Sequence, residues 1–90
     1  MQGRRVPFRP GFPAGGPPAQ PGDYCKVPPN VRLGRIITWL LVDPTGGAGS
    51  IIPENHVVTE HADGTITASP SLVMPSGWHG YLERGIWRSV

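Results

Sequence analysis

The placement of the prolines constrains this 90-residue chain more than any other feature of its sequence. Eight of the twelve prolines lie within the first 30 residues, together with five of the thirteen glycines. Proline fixes φ and has no backbone N–H, so such a stretch is predicted to join neither a helix nor a central strand. We therefore predict that residues 1–30 form an extended Pro/Gly-rich arm, and that residues 31–90 form a compact β domain.

The charged residues follow the same division. Residues 1–30 carry four basic side chains and one acidic one, and residues 31–90 carry four basic and five acidic ones. The net charges are therefore +3 and −1, which sum to the +2 of the whole chain. Aromatic residues also lie among the prolines of the arm, and a segment that binds along another surface uses such side chains as anchors. The predicted partner-binding residues are Arg4, Arg5, Phe8, Arg9 and Phe12. The alternative is a disordered leader.

Short β-branched and aromatic runs separated by turn residues characterise the rest of the chain. Asp63-Gly64 predicts one hairpin, and the loop Glu83-Arg84-Gly85 predicts another, with Gly85 at positive φ. Pro70 is expected to close the strand that follows the first hairpin turn. The predicted strands cover residues 35–42, 50–52, 56–61, 65–69, 78–82 and 86–89. This pattern predicts an all-β fold, a small sandwich or partly open barrel of five or six short antiparallel strands.

Size and composition limit what such a domain can be. A body of about 60 residues buries little of its surface, so oligomerisation or docking on a partner is the usual remedy. The single cysteine, Cys25, cannot form an intrachain disulfide. The longest apolar stretch has seven residues, which is too short to span a membrane, and no secretory leader is recognisable.

The C-terminal third carries a recognisable pattern. Gly64-Thr-Ile-Thr-Ala-Ser-Pro-Ser-Leu72 is followed by Gly77-Trp-His-Gly-Tyr-Leu-Glu-Arg-Gly-Ile-Trp87. This pattern resembles a group of small uncharacterised proteins that are common in bacteriophages and prophages, some of them mislabelled as ammonia monooxygenase. The resemblance implies phage origin and a compact β fold, and it implies no established activity. Relatives carry an upstream cysteine cluster suited to zinc, whereas this chain has only Cys25 there.

Residues capable of catalysis or metal binding are few. His56 and His61 are five residues apart, so on one strand they face opposite sides and cannot chelate one ion. Serines near His79 lack the surroundings of a nucleophile elbow, and four basic residues over thirty are too sparse for a nucleic-acid-binding tail. We therefore predict no enzymatic activity, no metal, no cofactor and no nucleic-acid partner. Trp78, His79 and Tyr81 are the second candidate surface, suited to a ligand or a protein.

Together these features predict a non-enzymatic bacteriophage structural or accessory protein that resides in the virion or the host cytoplasm. The specific hypothesis is a capsid decoration or cementing protein, which docks its β body and clamps the arm on a larger protein assembly. Two linked contacts bind more tightly than either contact alone. The alternative is an accessory protein that binds a host factor or a small signalling ligand through the region of residues 78–81.

Overall fold

The computed structural model describes residues 1–31 and 33–90, which form strands and turns without any α-helix. The strands are β1 (Arg4–Arg5), β2 (Asp23–Lys26), β3 (Trp39–Val42), β4 (Ala48–Ile51), β5 (Val57–Glu60), β6 (Ile66–Val73), β7 (His79–Glu83) and β8 (Ile86–Ser89). They form an N-terminal sheet in the order β1-β2-β3-β4 and a C-terminal sheet in the order β5-β6-β7-β8. Neighbouring strands are antiparallel except β1 and β2, which are parallel. The predicted all-β class is confirmed, with eight strands in place of five or six.

The two sheets enclose a main core of side chains that alternate inward along the strands. Trp39 and Leu41 of β3 face this core, while Ile66 and Leu82 reach it from the C-terminal sheet. Its other buried members are Tyr24, Ile51, Ala68, Leu72, Met74 and Trp87. Because Tyr24 belongs to this main core, the first 30 residues contribute to the central packing of the fold.

A smaller second core lies on the opposite side of the N-terminal sheet. Cys25 and Val42 alternate with the main-core residues of β2 and β3, and they pack against Phe12, which is 8% exposed. Val6, Phe8 and Ala19 lie around them. The loop of residues 6–19 therefore covers the outer face of β2 and β3, so this sheet is packed on both sides.

The prediction that residues 1–30 join no central strand is wrong. Strand β2 lies between β1 and β3, and it pairs Tyr24 with Leu41 and Cys25 with Leu40. The longest extent of the described chain is 32 Å, whereas thirty extended residues would reach about 100 Å. A proline-free stretch, residues 22–27, is long enough for a strand because the prolines flank it and occupy none of its positions.

The first five residues join the two sheets. Trp87 N–H donates to the Met1 carbonyl at 2.8 Å, and Gly3 N–H donates to the Gly85 carbonyl at 2.7 Å. The chain then passes to β1, where Arg4 N–H donates to the Gly22 carbonyl at 3.2 Å. One short segment thus bonds to β8 at one end and to β2 at the other, which closes one side of the sandwich.

One hairpin turn and the end of one strand differ from their predicted form. Glu83 pairs directly with Ile86, so the last hairpin has a two-residue loop rather than a three-residue one. Both loop residues have positive φ, 47° at Arg84 and 74° at Gly85, as a type I′ turn requires. Pro70 does not close β6, because the strand continues to Val73 with a register shift between Ala68 and Leu72. The shift lets the proline sit where no ladder hydrogen bond is needed.

In the described part of the chain, no helix is long and apolar enough to cross a membrane.

Candidate functional site

The outer face of the C-terminal sheet is a strand surface that no other part of the described chain covers. Side chains at alternate positions of β5, β6, β7 and β8 point away from the main core and form this face. Its members include Val57, Thr59, Thr67, Ser71, Val73, His79, Tyr81, Glu83, Arg88 and Val90. The N-terminal sheet has no equivalent surface over β2 and β3, because residues 6–19 pack there.

Apolar side chains are unusually exposed on this face. Val57 and Val73 are each 71% exposed, and Tyr81 is 42% exposed. Val73 pairs with His79, and Val90 N–H donates to the His79 carbonyl at 3.0 Å, so three side chains form a row across the sheet. Four of the seven large hydrophobic side chains that are exposed in the described residues lie on this one face. Because exposed apolar patches are typical of interaction sites, this face is the candidate docking surface.

Polar groups lie among these apolar side chains. Ser71 Oγ and His79 Nε2 are 3.0 Å apart and form a hydrogen bond, while His56 Nε2 lies 3.1 Å from the Ser71 carbonyl oxygen. A serine beside a histidine is the first part of a nucleophilic triad, which also needs an acid that orients the histidine. Among residues 1–31 and 33–90, no carboxylate forms a hydrogen bond to His79. The hydrogen bond between Ser71 and His79 links β6 to β7 on the outer face.

A concavity of about 560 Å³ opens at the hairpin end of the same face. We call it the Arg84 groove; Thr59, His61, Thr67, Glu83, Arg84, Ile86 and Arg88 line it. Thr67 Oγ1 lies 2.7 Å from His61 Nε2 and accepts a hydrogen bond from Arg84 N–H at 3.0 Å. Arg88 forms an ion pair with Glu83 and stacks over Tyr81, with its guanidinium carbon 5.6 Å from the ring centroid. With two arginines and one glutamate in its lining, the groove carries more positive than negative charge.

Arg4 and Arg5, which the sequence analysis assigned to partner binding, donate hydrogen bonds to acceptors within the chain. Arg4 donates two hydrogen bonds, at 3.1 and 3.0 Å, to the buried carboxylate of Asp23. Arg5 donates to Glu60 Oε2 and to the Gly64 carbonyl, both at 3.1 Å, and its guanidinium lies 5.1 Å from the Trp39 ring. These contacts connect β1 to β2 and to the C-terminal sheet.

Arg9 organises the loop in which it lies. Its guanidinium donates to the carbonyl oxygens of Pro13 and Pro17 and lies 5.4 Å from the Phe12 ring. Phe12 is buried in the second core, and Phe8 packs against that core at partial exposure. The arm residues that the sequence assigned to a partner thus have intramolecular contacts, and their role in binding another protein remains a prediction.

The three residues of the second predicted surface do not all lie on the same side of the sheet, because side chains alternate along a strand. His79 and Tyr81 point outward, whereas Trp78 packs against the main core and meets Trp87 edge-on, with ring centroids 5.4 Å apart. Only two of the three residues can therefore contact a ligand on the outer face. Sequence reasoning missed Val57 and Val73, although the alternation of Ser71, Leu72 and Val73 beyond Pro70 contained the signal for the second of them.

Buried or paired carboxylates stabilise the junctions between the sheets. Burial opposes ionisation of Asp43, but hydrogen bonds from Ser76 at 2.6 Å, Thr45 and Gly47 outweigh it and hold its pKa below the usual value. The hydrogen bond from Lys26 at 2.6 Å is the main cause that lowers the pKa of Glu60. Burial raises the pKa of the Cys25 thiol, which disfavours a reactive thiolate.

In the described residues, no group of three or more His, Cys, Asp or Glu side chains is close enough to hold a metal ion. No family model matches this chain, and neither a curated protein nor a solved structure shows significant similarity to it.

Proposed function

We propose that this chain is a non-enzymatic structural or accessory protein of a bacteriophage, and that it docks on a larger protein assembly such as the capsid. The observation that carries the docking is the exposure of Val57, Val73 and Tyr81 on an otherwise well-packed small domain. The phage assignment depends on the resemblance of residues 64–72 and 77–87 to small phage proteins. The supporting features of the fold are its short strands, its two cores and its polar-rimmed apolar face.

The proposed docking mode differs from the clamp that the sequence suggested. Residues 1–30 are folded into the N-terminal sheet and its covering loop. The outer face of the C-terminal sheet would therefore be the main surface that contacts the partner. Tyr81 and the two valines would enter apolar depressions of the partner. His79, Ser71 and Arg88 would supply the hydrogen-bonding rim, as in interfaces where apolar anchors are surrounded by polar groups.

The second candidate function is binding of a host factor or small signalling ligand through the same face. The concavity of about 560 Å³ favours this alternative because it is the size of a small-molecule site, and His79 and Tyr81 lie on the face into which it opens. Its shallow and open form is less suited to enclosing a ligand than to receiving a protruding side chain of a partner.

Quantitative mass spectrometry of washed phage particles tests the proposal. We expect the chain in purified particles at many copies each, at a constant ratio to the major shell protein through repeated washing. Absence from the particles, combined with early expression in the infected cell, would overturn the structural assignment and favour the host-factor function.

A further inference from the structure

We propose that the Arg84 groove is the site at which this chain binds an acidic peptide segment of its partner. The inference depends on the proposed docking function and specifies which part of the surface recognises charge. The sequence placed this recognition on Arg4, Arg5 and Arg9, but in the folded chain each of these guanidiniums already has an acceptor.

Arg84 differs from those arginines in its surroundings. Within residues 1–31 and 33–90 its guanidinium forms no ion pair and no hydrogen bond, and the residue is exposed. Its φ of 47° is a backbone conformation in which asparagine, aspartate or glycine is favoured at a two-residue hairpin turn. The turn therefore carries a conformational cost at this position, while it presents a cation at the mouth of a concavity.

The groove supplies further groups that bind a carboxylate. Thr59 and Thr67 are paired across β5 and β6, and they place two hydroxyl groups on its floor. Arg88 lies at one side, where it is paired with Glu83 and stacked over Tyr81; its charge offsets that of Glu83 and leaves Arg84 as the cation available to a carboxylate. His61, whose Nε2 lies 2.7 Å from Thr67 Oγ1, also lines the groove. An arginine that meets a carboxylate in a partly desolvated site forms a strong charge-assisted hydrogen bond.

The same features favour an acidic peptide over a nucleic acid. The groove carries two arginines and a glutamate, and Tyr81 is the one aromatic ring exposed beside it in the described chain. Single-stranded nucleic acids bind to surfaces where several aromatic rings stack successive bases along a continuous basic track. Within the described chain, the groove instead offers one unpaired cation, Arg84, to a carboxylate.

The test is an NMR titration of the full chain at low salt with two end-blocked tetrapeptides, one made only of glutamate and the other only of glutamine. We expect the glutamate peptide to shift the backbone amide signals of residues 59–67 and 83–88, and the glutamine peptide to leave them unchanged. Raising the salt should weaken the binding, because screening shortens the range of the charges from about 10 Å at 0.1 M to about 3 Å at 1 M.

The variant Arg84→Asn removes the cation and retains a residue that suits the turn, so the chain should fold at least as well as the wild type. We expect it to bind the glutamate peptide about tenfold more weakly, and Arg84→Lys to recover part of the loss. Arg35→Asn is the matched control, because Arg35 is exposed and forms no ion pair in the described chain but lies in the loop before β3.

Three results would overturn the inference: equal shifts with both peptides, equal binding by wild type and Arg84→Asn, or tighter binding of a single-stranded oligonucleotide at the same residues. These outcomes are independent of the particle measurement. A chain that is abundant in phage particles but does not bind the peptide would refute the groove alone. A chain that binds the peptide but is absent from particles would refute the structural role alone.

Discussion

The substitution Gly3→Ala should destabilise the whole fold, although residue 3 lies in a stretch that the sequence predicts to be a loose arm. A Cβ on Gly3 would lie 2.7 Å from Trp87 Nε1 and 2.8 Å from each of the carbonyl oxygens of Gly22 and Gly85. Two of these three atoms belong to the backbone and cannot rotate away. The third belongs to the indole N–H that donates to Gly22 at 2.9 Å, so the methyl group would also separate this pair.

The cost can be estimated from these contacts. Forcing a methyl group into a packed site costs about 1–3 kcal/mol, and loss of a buried hydrogen bond costs about 1–3 kcal/mol. We expect a combined loss of about 2–6 kcal/mol in the free energy of unfolding, from a total of about 5–15 kcal/mol for a small domain. For a chain of this length, that corresponds to a fall in Tm of about 10 °C or more.

Thermal unfolding followed by circular dichroism, with urea unfolding as a second measurement, checks this estimate. Gln2→Ala is the control, because Gln2 is exposed and the substitution leaves the backbone pairing with Ile86 in place. Its Tm should stay within about 2 °C of the wild type. A Gly3→Ala variant as stable as the control would show that residues 1–5 do not join the two sheets.

Three further predictions concern the turns, the pH dependence and the metal content. Gly85→Val should destabilise the fold, because Gly85 has a φ of 74° and its Cβ would lie 2.9 Å from Tyr24 Oη; an unchanged Tm would contradict this. The ionised Asp43 carboxylate should stabilise the fold at pH values above its unfolded pKa near 3.8. This stabilisation should be lost as the pH falls through the lower pKa of Asp43 in the folded chain. Asp43→Asn should therefore cost about 1–3 kcal/mol near neutral pH and less in acid, measured by urea unfolding from about pH 3 to 7; an equal cost at every pH would refute this. Elemental analysis of the purified chain should find no stoichiometric zinc, and one zinc per chain would contradict the absence of a metal site.

Strands β5, β7 and β8 and the first half of β6 were predictable because they contain β-branched or aromatic residues and lie between turn residues. Asp63-Gly64 correctly identified the hairpin that joins β5 to β6. Positive φ at Gly85 was also predictable from the loop sequence. These features are local, so a single sequence contains the information that specifies them.

The features that the sequence did not reveal depend on contacts between distant parts of the chain. Strand β2 has four residues between proline-rich flanks, and it exists because β1 and β3 pair with it on both sides. Burial of Phe12 depends on Cys25 and Val42, which are distant in sequence. The separation of Trp78 from Tyr81 follows from which face of β7 covers the core, and this requires the sheet packing to be known.

Binding to purified particles of the proposed phage tests the central proposal, that the chain docks through the outer face of the C-terminal sheet. The double variant Val73→Thr/Tyr81→Ser removes two exposed apolar anchors, at 71% and 42% exposure, and leaves both cores intact. We expect it to keep the wild-type Tm and to bind purified particles lacking the chain at least about tenfold more weakly. Ile36→Thr, which changes a side chain 56% exposed in the loop before β3, should bind as the wild type does. Unchanged binding by the double variant, or lost binding by Ile36→Thr, would contradict the account.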